Sequence, residues 1–199
     1  MKSATSASVH SCFPPRRGFT LLELVFVLVV VSLLIASGSM VITGALQSQR
    51  LSASASRLAN ELAAAGIQAI RENRTLEVHC ITEQSEFKGD LQVRSCQLYA
   101  IDPSTGKTSP IRERWPLDTG VVAIAGDVYS NVLSHSTLSG FKGGYSLRPD
   151  GSTDLGNSPA DRWCITLVNE RDLAKVHGGL PPDYRTLLIN PATGLIKVY

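Results

Sequence analysis

A single carboxylate, Glu23, lies inside the most apolar stretch of this 199-residue chain. No charged residue follows it from Leu24 to Gln49. A charged side chain at the centre of a membrane helix costs about 2.5–3.5 kcal/mol on insertion scales, so it normally has a specific partner that neutralises it. The position of Glu23 therefore predicts ion pairing with a cationic group.

A basic flank comes directly before this stretch, at Arg16 and Arg17. Basic residues beside a hydrophobic segment stay on the cytoplasmic side. The uncharged run after Glu23 exceeds the ~20 residues that span a bilayer. The sequence thus predicts one membrane-spanning helix whose C-terminal side leaves the cytoplasm.

The flank and the apolar run are joined by the array Gly18-Phe19-Thr20-Leu21-Leu22-Glu23. This arrangement resembles the class III signal of type IV prepilins and of the pseudopilins of type II secretion. The resemblance implies that a prepilin peptidase cleaves between Gly18 and Phe19 and methylates the new amino group of Phe19. Glu23 would neutralise that amino group on an adjacent subunit and set the stagger of a filament, as buried polar groups can set register.

Two other export signals share some of these features. A secretory signal peptide would end at a small-residue cleavage site, for which residues 36–38 could serve. Arg16 and Arg17 also partly match a twin-arginine signal. The apolar run continues past Gly38 and contains Glu23, which favours the prepilin-like signal.

The formal charge of +2 belongs largely to the leader. Residues 1–18 contain Lys2, Arg16 and Arg17 and no acid, so cleavage leaves 16 basic and 17 acidic residues. Nucleic-acid binders usually have a basic surplus. The mature chain has none, and no nucleic-acid partner is expected.

After the apolar run, the helix continues with an apolar stripe at spacings of three and four. The stripe consists of Leu51, Ala55, Leu58, Leu62, Ala65 and Ala69. No proline occurs between Pro15 and Pro103, so we expect helix to about Asn73. The predicted segments are a leader at 1–18, a transmembrane and filament-core helix at 19–46, an amphipathic helix at 47–73 and a β-rich periplasmic head at 74–199.

Beyond Asn73 the pattern favours strands. They are predicted at Thr75–Ile81, Leu91–Ile101, Val121–Ala125, Gly144–Arg148, Trp163–Val168, Arg185–Asn190 and Leu195–Tyr199. In the first strand, Glu77 and His79 fall on the polar face, and His79 is interpreted as a surface residue. The segment 130–143 is polar and weakly patterned, and is interpreted as a mobile surface loop. The predicted fold class is α+β: a long N-terminal helix packed on an antiparallel sheet.

Three cysteines remain after Cys12 leaves with the leader, enough for one internal bridge. If the turn after the first strand centres on Lys88, Cys80 and Cys96 lie opposite each other. A Cys80–Cys96 disulfide is one hypothesis. Separate buried thiols, or a bridge that uses Cys164, are the alternatives.

No pattern in the chain indicates catalysis or a resident cofactor. It lacks a G-x-S-x-G motif, a phosphate-binding loop and a closely spaced Cys/His cluster, so no enzyme activity, cofactor or metal is predicted. Several aspartates in or near loops could bind calcium, but no EF-hand loop is present and they are interpreted as turn residues. They are Asp102, Asp118, Asp127, Asp150 and Asp154.

The segments 69–80, 145–151, 163–167 and 188–198 resemble the general secretion H/FimT pseudopilin domain. That resemblance implies a minor pseudopilin of H type in the type II secretion pseudopilus. It would be held in the bacterial inner membrane by a single pass, with its head in the periplasm. Its partners would be other pseudopilins, the prepilin peptidase and the inner-membrane assembly platform.

A FimT-like minor pilin, serving pilus assembly or DNA uptake, is the alternative. Some FimT-type pilins bind DNA through a C-terminal Gly-Arg-x-Arg element. The corresponding residues here are Gly194-Leu195-Ile196-Lys197, which lack both arginines. Losing phosphate contacts weakens DNA affinity and its salt dependence, so the H-type role is favoured.

Overall fold

The computed structural model describes residues 19–84, 91–102, 104–126, 128–156, 162–173 and 179–199. Within the helix, the side chains of residues 37–43 are not described. Gly18 and the rest of the leader, the turn around Lys88, and Asp127 lie outside the described residues. The chain divides into two compact units between Thr43 and Gly44.

Helix α1, Leu21–Glu72, contributes residues to both units. In the first unit every described side chain from Phe19 to Ala36 is exposed. Among the described parts of the chain, no helix has both the length and the apolar character needed to cross a bilayer.

In the second unit, α1 packs one face against the sheet. The predicted stripe is confirmed, since all six of its residues are buried in the main core with residues of the strands. The helix ends at Glu72. The next residue, Asn73, has a left-handed φ of 48°, as is common for the residue after a helix. The Arg74 N–H then donates to the carbonyl of Ala69.

The described strands form one antiparallel sheet, which confirms the predicted α+β class. They are β1 Leu76–Gln84, β2 Leu91–Ile101, β3 Thr108–Pro110, β4 Trp115–Pro116, β5 Val121–Ala123, β6 Gly144–Leu147, β7 Cys164–Asn169, β8 Tyr184–Ile189 and β9 Ile196–Val198. Their order is β6-β1-β2-β5-β7-β8-β9, with β3 and β4 both paired to β2. The two short strands β3 and β4 were not predicted, because two or three residues are too few to show alternation.

Strand β1 is interior, because β6 and β2 pair with its two edges. Its apolar face joins the core beneath α1 through Leu76, Val78 and Cys80. Its other face carries Glu77 and His79, and residues of the segment 130–143 cover it. At the far end of the sheet, β9 is an edge strand.

Helix α1 also makes polar contacts with a loop and with strand β8 of the second unit. The buried Ser54 hydroxyl donates to the Asp118 carboxylate at 2.8 Å and accepts from the Asp118 N–H at 3.0 Å. The Arg185 Nε donates to Ser52 Oγ at 3.1 Å. These bonds fix the rotation of the helix about its axis, which apolar contacts alone constrain weakly.

Candidate functional site

The N-terminus of α1 has a capping geometry built from Thr20 and Glu23. The Glu23 N–H donates to Thr20 Oγ1 at 3.2 Å, and Thr20 precedes the first helical residue, Leu21. Threonine at the N-cap and glutamate three residues later form the pattern called a capping box. A carboxylate in the first turn also interacts favourably with the helix dipole. The Glu23 N–H is thus capped by Thr20, and the Glu23 carboxylate lies in the first turn, where its charge favours the helix.

The side chains that follow Glu23 form an apolar surface around the whole helix. Exposed leucine, valine, isoleucine and phenylalanine residues occur at successive positions of residues 21–35. A helix that is apolar on all sides is normally buried, either in a large protein core or in a membrane. The first unit thus exposes an extended apolar surface.

In the head, the buried carboxylate of Glu77 accepts several hydrogen bonds, and its residue is 0% exposed. Ser139 donates to its carboxylate from both N–H, at 2.8 Å, and Oγ, at 2.5 Å. Thr137 Oγ1 donates at 3.1 Å, and His79 Nε2 lies 2.8 Å from Oε2. The carboxylate thus joins β1 to the segment that covers it.

The interpretation of His79 as a surface residue is wrong: it is only 4% exposed. Its ring lies between two aromatic rings, with centroids 4.2 Å from Tyr99 and 3.9 Å from Phe141. Strand alternation assigns residues to a face but does not show what covers that face. Here the covering residue, Phe141, comes from a distant loop.

The segment 130–143, expected to be a mobile surface loop, is at the surface over most of its length but has regular local structure. A 3₁₀ helix spans Asn131–Ser134, with Val132 buried. Farther along, Thr137 is buried and accepts a hydrogen bond from the Phe141 N–H. Buried polar side chains with several hydrogen bonds order this segment, although it has no apolar periodicity.

A second carboxylate, that of Asp154, extends the network through Ser146, whose hydroxyl also lies 3.5 Å from Glu77 Oε1. Asp154 accepts from the N–H of Ser146 at 2.6 Å and from its hydroxyl at 2.8 Å. His135 Nε2 lies 3.5 Å from the same carboxylate. Serine, histidine and carboxylates meet here, and the carboxylates that accept from the Ser139 and Ser146 hydroxyl groups also accept from the N–H groups of the same two residues. The network is suited to holding the loop in place.

We expect Glu77→Gln to lower the free energy of unfolding by about 2 kcal/mol at pH 7, since hydrogen bonds to a charged group contribute ~1.5–3 kcal/mol. Burial acts to raise the pKa of Glu77, but hydrogen bonds from Ser139, His79 and Thr137 outweigh it and hold the pKa below its ordinary value. The stabilisation is therefore present above the unfolded pKa, about 4.3, and is lost as the pH falls through the folded pKa. Urea unfolding followed by the fluorescence of the buried Trp115 would measure it.

Glu83→Gln is the matched control, because Glu83 is on the same strand but half exposed, with Arg114 at 3.4 Å. An exposed ion pair contributes only ~0–1 kcal/mol, so this change should have little effect. Equal losses in the two variants, or a Glu77 effect that does not decrease in acid, would contradict the assigned role.

The other aspartates of interest cap turns or pair with hydroxyl groups. Asp102 accepts from Ser104 and Thr105, and these bonds lower its pKa to about 2. Asp150 accepts from the N–H and hydroxyl of Ser152. Within the described residues no group of three or more acidic, histidine or cysteine side chains could hold a metal ion.

Two adjoining hollows, of about 480 and 500 Å³, open beside this network and share Gly106 and Ser139 in their walls. One also contains Arg74 and Leu138, and the other His79 and Lys107. Their walls combine apolar and basic groups. They provide a concave surface next to the ordered loop.

The predicted opposition of Cys80 and Cys96 is confirmed by the register of β1 and β2. Their sulfur atoms lie 3.4 Å apart as free thiols. Cys164 is elsewhere, and its thiol donates to the carbonyl of Tyr129 at 3.3 Å. Burial raises the pKa of the Cys164 thiol.

Several arginines that could have formed a basic patch lie beside carboxylates. The pairs are Arg74–Glu72, Arg94–Glu170, Arg112–Glu61, Arg114–Glu83 and Arg185–Asp183. In β9, Lys197 lies over the ring of Tyr199, 5.1 Å from its centroid. Much of the arginine charge of the head is therefore balanced locally.

No protein-family model matches the chain, and no curated protein matches its sequence. It is similar to the solved type IV minor pilin FimU of Pseudomonas aeruginosa in two crystal forms, at 12% and 13% identity. The TM-scores are 0.49 and 0.46, over 76% and 75% of this chain and 89% and 92% of FimU. The minor pseudopilin EpsH of the Vibrio cholerae type II secretion system is 9% identical, with a TM-score of 0.47, over 75% of this chain and 96% of EpsH. The role proposed below rests on the residues of this chain.

Proposed function

We propose that this chain is a minor pseudopilin of H type, a structural subunit of a type II secretion pseudopilus. The observation that carries the proposal is the array from Gly18 to Glu23 directly before a helix whose apolar side chains are exposed on all sides. Such a helix needs a covering environment, first the inner membrane and then the helices of other subunits. The head would lie in the periplasm.

Processing gives the helix its assembly chemistry. Cleavage after Gly18 creates an ammonium group at Phe19, two residues before helix α1 begins. In an apolar environment that group and the Glu23 carboxylate each lack a counter-ion. Pairing Glu23 of one subunit with Phe19 of the next neutralises both and fixes the axial stagger. The prepilin peptidase and the inner-membrane assembly platform are the implied partners before incorporation.

The head supplies a rigid surface and no catalysis. Its ordered covering loop and the adjoining hollows offer contact area to other minor pseudopilins or to exported cargo. The hydroxyl groups of Ser139 and Ser146 donate to carboxylates, which fits a structural role. We therefore propose that the protein contributes to export across the outer membrane through assembly.

Isolating the mature chain from membranes and determining its intact mass and first residue would test the proposal. N-methyl-Phe19 is the expected result, and Gly18→Asp should leave the leader attached. Gly38→Leu is the matched control: it removes a small residue from the alternative cleavage region without adding a charge, and should leave processing at Phe19 unchanged. A mature chain that starts near Ser39, or a normally processed Gly18→Asp variant, would contradict the pilin-type pathway.

A FimT-like minor pilin would carry the same leader and helix, so its distinction from the H type rests on the head. The terminal strand has Lys197 where the DNA-binding element would have arginines, which favours the secretion role. Deleting the gene should then abolish secretion and leave pili intact. Loss of pili, or salt-dependent DNA binding by the purified chain, would instead favour the pilus role.

A further inference from the structure

Cys80 and Cys96 form the best candidate for a covalent link inside the head. They occupy directly opposite positions on β1 and β2, and both are buried. We propose that they form a cross-strand disulfide, which leaves Cys164 as the free thiol.

The backbone geometry at this position suits a bridge. The Cys80 N–H donates to the carbonyl of Gly143, on the side of the strand away from β2. Cys80 and Cys96 are therefore a non-hydrogen-bonded pair, in which Cα atoms lie ~4.5 Å apart and side chains approach closely. Disulfides form across Cα separations of about 4.4–6.8 Å. Small side-chain rotations would bring the sulfurs from 3.4 Å to bonding distance.

The strand order separates Cys164 from this pair. Cys164 is in β7, and β5 lies between β7 and β2 in the sheet. The Cys164 thiol donates to the carbonyl of Tyr129 at 3.3 Å, whereas the sulfur atoms of Cys80 and Cys96 contact each other at 3.4 Å. A bridge to Cys164 would have to break both of these contacts, so the geometry favours the Cys80–Cys96 pairing.

Burial makes this a permanent link in the folded head. The hydrogen bond with Cys80, together with burial, raises the pKa of the Cys96 thiol well above its ordinary value. A leaving thiol with a high pKa departs slowly, and buried sulfur atoms are hard for a reductant to reach, so reduction of the bridge in the folded head is slow. The bond would form while the hairpin is still accessible, and would then be protected from reductants.

The reaction requires an oxidant of the disulfide class. One cysteine thiolate attacks the oxidant and releases a thiolate, giving a mixed disulfide; the second cysteine thiolate then displaces the other half. One protein disulfide and two reduced thiols result, and each released thiolate takes up one of the two protons lost by the cysteines. Whether the cell supplies that oxidant depends on the proposed export of the head. Which two cysteines pair depends only on the fold.

The full chain in detergent would be reduced, unfolded and refolded with a mixture of oxidised and reduced glutathione. After alkylation and non-reducing tryptic digestion, we expect peptide 75–88 to be linked to peptide 95–107. The peptide 163–171 should carry a single alkylated cysteine. Alkylation of both Cys80 and Cys96, or a bridge that contains Cys164, would overturn the proposal.

Cysteine variants distinguish a specific disulfide from pairing that results from misfolding. Cys164→Ser should retain the bridge, and Cys80→Ser should leave Cys96 alkylated. The rate at which dithiothreitol reduces the bridge should be lower in the folded chain than in urea, by roughly tenfold or more. Equal rates of reduction would contradict a buried bond. If the refolded chain is bridged but the chain trapped from cells is reduced, the proposed export is wrong and the pairing stands.

Discussion

Replacing Glu23 with glutamine is expected to abolish incorporation into the filament while leaving cleavage after Gly18 intact. Glutamine preserves the capping pattern with Thr20, because either side chain can occupy the third helical position of a capping box. It removes the negative charge that would neutralise the Phe19 ammonium of the neighbouring subunit. The substitution therefore tests charge pairing without removing the cap.

Thr20→Ala is the matched control, since it removes the 3.2 Å bond to the Glu23 N–H and retains the carboxylate. Losing an N-cap costs about 1 kcal/mol, which should weaken the first turn without preventing assembly. Filament fractions probed with an antibody to the head, beside the N-terminal sequence of each variant, would measure the effects. Normal assembly of Glu23→Gln together with failure of Thr20→Ala would mean that Glu23 acts through the cap.

Gly144→Ala is expected to destabilise the head by about 3 kcal/mol or more, at the upper end of overpacking effects. A Cβ added at this position would lie 2.0 Å from the carbonyl oxygen of Val78. The contacted atom is backbone in the interior strand β1, so relief requires β6 to move away from β1. That movement would break the ladder between the two strands and uncover the Glu77 network.

Gly66→Ala provides the contrast, because an added Cβ there meets only a side-chain atom of Leu147, at 4.0 Å. Glycine inside a helix is less favourable than alanine by roughly 0.5–1 kcal/mol, so this variant should be slightly more stable. Urea unfolding of both variants, followed by tryptophan fluorescence, would compare them. A Gly144→Ala protein as stable as wild type would contradict the close approach of β6 and β1.

The sequence predicted well those features that depend on a local pattern, such as apolar residues repeated along a helix or two residues equally distant from a turn. The helical stripe from Leu51 to Ala69 and the opposition of Cys80 and Cys96 follow from local repeats. The position of Ser54 against Asp118 could not be predicted, because no local pattern links residues so far apart in sequence. The same reason explains the error at His79, whose covering residue Phe141 is 62 positions away in the sequence.

One signal for the buried network was nevertheless present. Glu77 and His79 alternate with apolar residues that themselves face a core, and β1 proves to be an interior strand. In such a strand both faces can be covered, so polar residues on the second face need partners. The hydroxyl-rich residues 137 and 139 are those partners, and their polarity made that segment resemble an exposed loop.

The free edge of the sheet limits how these molecules can aggregate. Thr186 and Tyr199 exchange both backbone hydrogen bonds, so the peptide groups of Ile196 and Val198 point away from β8. If two copies paired antiparallel along these groups in register, Lys197 of each would face the other, and like charges at opposed positions are unfavourable. Edge lysines protect native sheets from amyloid-like growth in this way. The charge of Lys197 therefore opposes in-register pairing of two heads through β9.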